Sequence, residues 1–242
     1  MIFKPFYSFE TGCAAYVFGC ASVGKGAVVD PQLCDVDACV AFAASKGLQI
    51  THVIDTHVHA DHLSGGKALA ERVGAVYCLH RSADVELPFT PLDDGQEIDL
   101  GNTRIRVLHT PGHTTESLCL LVTDLRRASE PWFVLTGDTL FVGAVGRPDL
   151  PGHERENAAT LHRSLHEKLL SLPDGLEVYP GHFAGSACGA GMSGKPSTTI
   201  GFEKRWNPLL SRDREGFVEE LAVSPPKPEG MQAILRFNQG RL

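Results

Sequence analysis

A dense group of histidine and aspartate side chains at residues 57–62 has the composition of a metal site. Four potential ligands fall within six residues of chain, and they are His57, His59, Asp61 and His62. His57 and His59 are two residues apart, so in an extended backbone their imidazoles point to the same side. Imidazoles combined with a carboxylate are the donors that borderline divalent metals prefer. We therefore predict a metal site here, because a polar loop with incidental histidines does not account for this density.

Three more potential ligands occur later in the chain, each directly after a glycine at the end of a predicted strand: His113, Asp138 and His182. A glycine at such a position lets the backbone come close to a shared centre. Taken singly, each of the three has the alternative of a capping or solvent-facing residue. Together with the first group, they predict that four strand ends converge at one sheet edge and place all seven side chains around one cavity.

The segments that must position these side chains show strand and helix patterns in turn. Residues 50–55 form a predicted strand that leads into the first group. The apolar runs at residues 118–123 and 132–136 are typical of buried strands. Leucines at i, i+4 spacing predict a helix over residues 156–170, and another helix is predicted over residues 198–205. Two groups of strands, each followed by helices, indicate an α+β fold in which two sheets pack together with helices outside.

Length and charge exclude several classes of protein. The chain has 242 residues with a net charge of −7, which fits a single domain over residues 1–242. No cluster of basic residues stands out, so we expect neither a nucleic-acid partner nor a membrane partner. No apolar run reaches the roughly 20 residues that a membrane span needs. The seven cysteines form no CxxC pair and no export signal precedes them, which predicts free thiols and a cytoplasmic protein.

The order of these ligands resembles the fingerprint of the metallo-β-lactamase superfamily. The resemblance covers roughly residues 12–208, and its HxHxDH box corresponds to residues 57–62. It implies a four-layer αββα sandwich with the site at one edge between the sheets. Residues from about 185 onward would form a helical and loop extension of that single domain.

Two branches of the superfamily differ in the metal that they hold. The segment Gly146-Arg147-Pro148-Asp149 after Asp138 is similar to the persulfide dioxygenase pattern. That branch, related to glyoxalase II, implies one Fe(II) per chain on His57, His113 and Asp138, which is a two-histidine, one-carboxylate set with open positions. The remaining residues would then orient the ligands and bound water, and they are His59, Asp61, His62 and His182.

The glyoxalase II branch implies two zinc ions instead. His57, His59 and His113 would hold one zinc and Asp61, His62 and His182 the other, with Asp138 bridging. The reaction would be thioester hydrolysis by a metal-activated water. A third alternative, from a different class, is a non-catalytic metal-binding protein that keeps the fold.

The last third of the chain is similar to bacterial persulfide dioxygenases that are often fused to rhodanese domains. In those proteins the cysteine matching Cys188 lies near the iron, so Cys188 is a candidate catalytic residue, with an ordinary loop thiol as the alternative. Arg147 is the second candidate, for holding a substrate carboxylate or sulfur oxyanion, with an ion pair to Asp149 as the alternative. The resemblance implies a glutathione or coenzyme A persulfide and O2 as substrates, a separate rhodanese partner and a homodimer.

Overall fold

The computed structural model describes residues 1–148, 153–184, 191–222 and 230–241. Its first half is a six-stranded sheet in which the spatial order of the strands follows the chain. The strands are β1 (Ile2–Ser8), β2 (Cys13–Cys20), β3 (Lys25–Val29), β4 (Gln49–Ile54), β5 (Val76–His80) and β6 (Thr90–Leu92). Strands β1 to β3 are antiparallel, and β3 to β6 are parallel. The crossovers from β3 to β4 and from β4 to β5 contain the helices α1 (Val36–Ser45) and α2 (Gly66–Val73).

The second half is another six-stranded sheet with its strands again in chain order. The strands are β7 (Glu97–Asp99), β8 (Thr103–His109), β9 (Leu118–Asp124), β10 (Phe133–Gly137), β11 (Glu177–Pro180) and β12 (Thr198–Thr199). The one parallel pair is β10 with β11. Its crossover is α3 (Glu154–Ser164), which continues as a π-helical turn over Leu165–Leu169.

The hydrophobic core lies between the two sheets, and each sheet has a further apolar cluster on its outer face. Tyr16 and Phe18 of β2 pack with Leu120 of β9 and Leu135 of β10 in the central cluster. The outer cluster of the first sheet includes residues of α1 and α2. The outer cluster of the second sheet includes Leu161 of α3 and residues of the following helices. The predicted four-layer αββα sandwich is therefore confirmed.

Three helices follow the second sheet in the described ranges: α4 (Ile200–Trp206), α5 (Arg214–Leu221) and α6 (Met231–Gln239). The helix predicted from residue 198 begins two residues later, because Thr198 and Thr199 pair with β11 as a strand. The Thr199 hydroxyl then accepts a hydrogen bond from the Phe202 amide and caps α4.

Strand β1 and helix α6 are among the elements that were not predicted from the sequence. Strand β1 contains Pro5, which is tolerated because β1 is an edge strand. Helix α6 follows a proline-rich stretch that hid its pattern, and it returns to the site through Asn238. Of the predicted extension from about residue 185, the structure describes 191–222 and 230–241. No helix in the described part of the chain has both the length and the hydropathy needed to cross a membrane.

Candidate metal centre

All seven predicted ligands meet at one edge of the sandwich. The loop after β4 supplies the group at residues 57–62. Each of the other three follows an element of the second sheet, and Asp138 comes directly after β10. Asp138 lies at the centre, since its Oδ1 is 2.6 Å from His182 Nδ1 while its Oδ2 faces His57 and His113. The predicted convergence of strand ends is what brings the residues together.

His57, His113 and Asp138 form a buried group of three ligands. The Nε2 atoms of His57 and His113 lie 3.9 and 3.6 Å from Asp138 Oδ2. Each histidine is held at its other nitrogen: His57 Nδ1 lies 3.0 Å from the Thr56 hydroxyl, and His113 Nδ1 lies 2.7 Å from the Arg147 carbonyl oxygen. Such partners fix the ring orientation and direct Nε2 toward a metal.

The donors of this group fit a divalent cation. Asp138 Oδ2 is buried and accepts no hydrogen bond from the described residues. Burial and the adjacent His59 lower the pKa of His57 well below its usual value, so this ring is neutral as a ligand must be. Burial opposes ionisation of Asp138, but the imidazoles of His182, His57 and His113 outweigh it and lower the Asp138 pKa. Two imidazoles and one carboxylate are directed at one point.

A second group of potential ligands adjoins the first and contains a residue that sequence reasoning missed. It consists of Cys13, Asp61, His62 and His182. Asp61 Oδ2 lies 2.7 Å from His182 Nε2 and 3.7 Å from Cys13 Sγ. Burial raises the pKa of the Cys13 thiol, and the His182 and His62 imidazoles outweigh burial and bring it to about 7. Burial lowers the pKa of His62, whereas Asp61 and Cys13 raise it to about 10.

His59 lies outside both groups, although its spacing from His57 suggested a shared metal. Its Nε2 is 3.2 Å from Asp30 Oδ1, and its neighbours are the buried carboxylates of Asp30 and Asp55. Burial lowers the pKa of His59, and these two carboxylates outweigh burial and raise it. The structure thus ties His59 to Asp30 through Nε2 and leaves its Nδ1 buried without a hydrogen-bond partner among the described residues.

Asp30 is a second residue that the sequence did not single out. It follows β3 and has φ = 50°, a left-handed conformation that aspartate tolerates better than most residues. Its carboxylate accepts hydrogen bonds from the Thr56 amide (2.6 Å) and the Thr56 hydroxyl (2.9 Å). Because the same hydroxyl contacts His57 Nδ1, Asp30 positions His57 through Thr56. Its place directly after an apolar strand was the available signal.

The ligand loop is also held from the second sheet and from α6. Glu116 Oε1 accepts a hydrogen bond from the Val58 amide at 3.0 Å. Asn238 Nδ2 donates to the carbonyl oxygens of His59 and His62, both at 2.8 Å, and Asn238 Oδ1 accepts from the Ser64 amide. These buried partners satisfy backbone groups that a loop without regular structure would leave unpaired.

The two residues proposed from the sequence as catalytic differ in what the structure describes. Arg147 adjoins the three-ligand group, and its carbonyl oxygen contacts His113 Nδ1. Asp149, its predicted ion-pair partner, and Cys188 both lie outside the described residues.

A buried cluster of histidine and carboxylate ligands at the edge of an αββα sandwich is the hallmark of one class of metal-dependent proteins. The family model described as the metallo-beta-lactamase superfamily matches residues 9–182. The chain belongs to this superfamily.

Relatives within the superfamily include both a dioxygenase and a hydrolase. The mitochondrial persulfide dioxygenase ETHE1 of Bos taurus is 27% identical over 88% of this chain and 78% of its own. A hydroxyacylglutathione hydrolase of Anaeromyxobacter dehalogenans is 33% identical over 92% of this chain and 91% of its own. The crystal structure of ETHE1 from Myxococcus xanthus matches with a TM-score of 0.85 and 32% identity, covering 100% of both chains.

Proposed function

We propose that the chain is a non-haem iron dioxygenase that oxidises the sulfane sulfur of a small thiol persulfide to sulfite. The observation that carries this proposal is the separate group of His57, His113 and Asp138, a two-histidine, one-carboxylate set typical of non-haem Fe(II) oxygenases. The likeness to a persulfide dioxygenase supports it.

The residues around the iron site act by orientation and by exclusion of water. Thr56 and the Arg147 carbonyl hold the two imidazoles with their Nε2 atoms toward Asp138 Oδ2. The three residues are at most 2% exposed, so bulk water competes little for their donor atoms. When bound, iron supplies the one-electron steps that the reaction of dioxygen requires, and three protein ligands leave positions open for the substrates.

The proposed reaction balances with a thiol persulfide, dioxygen and water as its reactants. The terminal sulfur of the persulfide is oxidised and dioxygen is reduced. Both atoms of dioxygen and one oxygen from water end in sulfite, the sulfur–sulfur bond breaks, and the thiol is regenerated. We assign Arg147 to the substrate carboxylate or the developing sulfur oxyanion, since a guanidinium binds such groups through paired hydrogen bonds.

A dizinc thioester hydrolase is the second candidate function. Asp61 and His62 lie close to His182, which in turn contacts Asp138, so a second metal has potential ligands beside the first. The hydrolase relative supports this candidate. Here His59 would have to join His57 and His113 through Nδ1, which is buried without a hydrogen-bond partner among the described residues, while its Nε2 lies beside Asp30.

Oxygen consumption by iron-loaded protein tests the proposal. The protein is loaded with Fe(II) under anaerobic conditions and given glutathione persulfide or coenzyme A persulfide. We expect oxygen uptake with sulfite release, loss of both in His113→Ala, and retention of both in His153→Ala, whose ring is exposed beside Glu156.

The alternative functions predict different results in the same experiment. No oxygen uptake with either persulfide, while zinc-loaded protein cleaves a glutathione thioester without oxygen, would assign the chain to the hydrolase branch. Inactivity of both loaded forms, with metal bound, would favour the non-catalytic alternative.

A further inference from the structure

We propose that Glu203 of α4 is a positioning residue of the three-ligand group. Together with Asn207, one helical turn later, it fixes the 138–147 segment, which begins at the ligand Asp138 and ends at Arg147. The proposal rests on the role that the proposed function gives to the three-ligand group. It deepens that function by naming the part of the chain that holds two of the ligands in place.

The 138–147 segment connects two points of the metal centre. Asp138 is itself a member of the three-ligand group. At the other end of the segment, the Arg147 carbonyl oxygen lies 2.7 Å from His113 Nδ1. Gly146 packs so closely that a Cβ atom there would lie 1.7 Å from the Asp138 carbonyl oxygen. A shift of this segment would therefore move one ligand directly and turn the ring of a second.

The middle of the segment is a turn that belongs to neither sheet. Leu140 and Val145 form an isolated antiparallel bridge, and the Phe141 amide donates to the Ala144 carbonyl oxygen at 3.0 Å. The turn between them contains Gly143, whose φ of 79° lies in the left-handed region that glycine tolerates. Because no neighbouring strand pairs with this turn, its polar backbone groups need partners from another element.

Helix α4 supplies these partners through two side chains. Glu203 Oε2 accepts a hydrogen bond from the Gly143 amide at 3.0 Å. Asn207 Nδ2 donates to the Ala144 carbonyl oxygen at 3.1 Å and to the same Glu203 oxygen at 2.8 Å. The Leu209 amide donates to Asn207 Oδ1 at 3.2 Å. An amide and a carbonyl of the turn are thus held by two side chains that also hold each other.

The burial of Glu203 indicates a role beyond packing. Glu203 is 0% exposed and Asn207 is 1% exposed. Burying a carboxyl group is unfavourable unless its hydrogen bonds compensate. The donors to Glu203 are amides, and its Oε1 is buried without a hydrogen-bond partner among the described residues. An apolar side chain would fill the same space at lower cost, so packing alone does not explain Glu203, whereas its hydrogen bonds to the turn do.

The segment affects the metal centre through the ring of His113. A hydrogen bond to one ring nitrogen sets the direction in which the other nitrogen faces a metal. For His113 the acceptor is the backbone carbonyl of Arg147, so the ring is only as well placed as the segment that carries this carbonyl. Releasing the turn from α4 should therefore weaken metal binding and change the coordination geometry, although no ligand is removed.

Iron affinity and the electron paramagnetic resonance of the Fe(II) protein exposed to nitric oxide test the proposal, because the shape of that signal reports the coordination geometry. Glu203→Met keeps the length of the side chain but removes the acceptor. It should lower iron affinity about tenfold, at the lower end of the range for groups behind metal ligands, and change the shape of the signal. Glu203→Gln keeps an acceptor oxygen for the turn and should retain the affinity and the signal of the wild type.

Leu48→Ala is the matched control for a general loss of stability, because Leu48 is buried in the outer cluster of the first sheet. It should lower the urea midpoint at least as far as Glu203→Met does, yet keep the iron affinity and the signal. Asn207→Ala provides a second variant if Glu203→Met does not fold. It releases the Ala144 carbonyl oxygen and should change the signal in the same direction.

Three results would each overturn the proposal: wild-type affinity and signal in the variants that release the turn, equal losses in Glu203→Gln and Glu203→Met, or an equal change in Leu48→Ala. If the protein takes zinc in place of iron, zinc affinity measured by competition with a chelator carries the test, and the same ratios between variants are expected. Neither measurement uses a persulfide or oxygen uptake. Failure of this proposal and failure of the proposed function therefore give different results.

Discussion

The two sheets hold their parts of the metal centre by different means. The first sheet presents a continuous loop, residues 57–62, that is fixed by buried side-chain hydrogen bonds from Asp30 and Asn238. The second sheet presents residues that follow the ends of separate strands, and these residues are fixed by close backbone packing. A Cβ atom at Gly146, for example, would overlap the Asp138 carbonyl oxygen.

The difference reflects what each backbone can satisfy by itself. Residues that continue from a strand inherit their position from the hydrogen bonds of the sheet, so they need only space for a close approach. A loop with four ligands in six residues has no such ladder, and its amide and carbonyl groups require side-chain partners. Substitutions on the two sides should therefore fail in different ways.

The largest effect is expected for Gly146→Ala, on the side fixed by backbone packing. The added methyl group collides with the Asp138 backbone and crowds the His113 Cβ atom, both within the three-ligand group. We expect a loss of about 3 kcal/mol or more in the free energy of unfolding together with loss of bound iron. Urea unfolding and iron analysis measure the two.

Gly175→Ala is the matched control, because a Cβ atom there meets no atom within 4 Å. Its stability should stay within about 0.5 kcal/mol of the wild type. If Gly146→Ala retained both stability and iron, close packing would not be what positions Asp138.

Asp30→Asn tests the side-chain network of the first sheet. The amide keeps the size of the carboxylate but offers one acceptor in place of two to the Thr56 amide and hydroxyl. We expect iron affinity to fall about 10–100-fold while the fold is retained, since the ligands are displaced and none is removed. Asp37→Asn serves as the control, because Asp37 lies exposed on α1, where it pairs with Arg72 of α2. Equal iron affinities of the two variants would contradict the positioning role.

Asn238→Ala tests how much α6 contributes to the same loop. The truncation leaves the carbonyls of His59 and His62 and the Ser64 amide without their partner. We expect a loss of about 2 kcal/mol in the free energy of unfolding, in line with unpaired buried groups. Gln239→Ala, the adjacent change on α6, should cost less than about 0.5 kcal/mol. A similar cost for both would mean that the helix acts through packing alone.

The smallest effect is a pH dependence at His80, where the two sheets meet. Its ring stacks on that of His109 at 3.7 Å. Burial and His109 lower the pKa of His80 to about 4, against the attraction of Asp93 and Asp94 and with a small repulsion from Arg81. The unfolded chain takes up this proton near pH 6.5, so the contribution is complete above that pH and is lost as the pH falls toward 4.

We expect the stability of the wild type to fall by about 1–2 kcal/mol more than that of His80→Gln between pH 7 and pH 4.5. Urea unfolding at both pH values measures the difference. His153→Gln, at an exposed ring, should follow the wild type. An identical pH dependence in His80→Gln would place the titration elsewhere.

The metal centre was predictable where its signal is local. The ligands at residues 57–62 stand together in the sequence, and glycines mark His113, Asp138 and His182 as positions of close approach. The buried strands β9 and β10 were equally visible, because strands covered on both faces read as continuous apolar runs. The π-helical turn after α3 was not distinguishable from a regular helix, since both bury leucines at similar spacing.

The sequence by itself determined the fold class, the superfamily and the seven candidate ligands, because these depend on residue types and on spacing along the chain. The tertiary structure alone decided how the ligands divide. It brought Cys13 to His182, turned His59 toward Asp30 and left His57, His113 and Asp138 as a separate group. The physical reason is that two kinds of long-range interaction set where each donor atom points: the pairing of distant strands, and buried hydrogen bonds. The spacing of residues along the chain specifies neither of them.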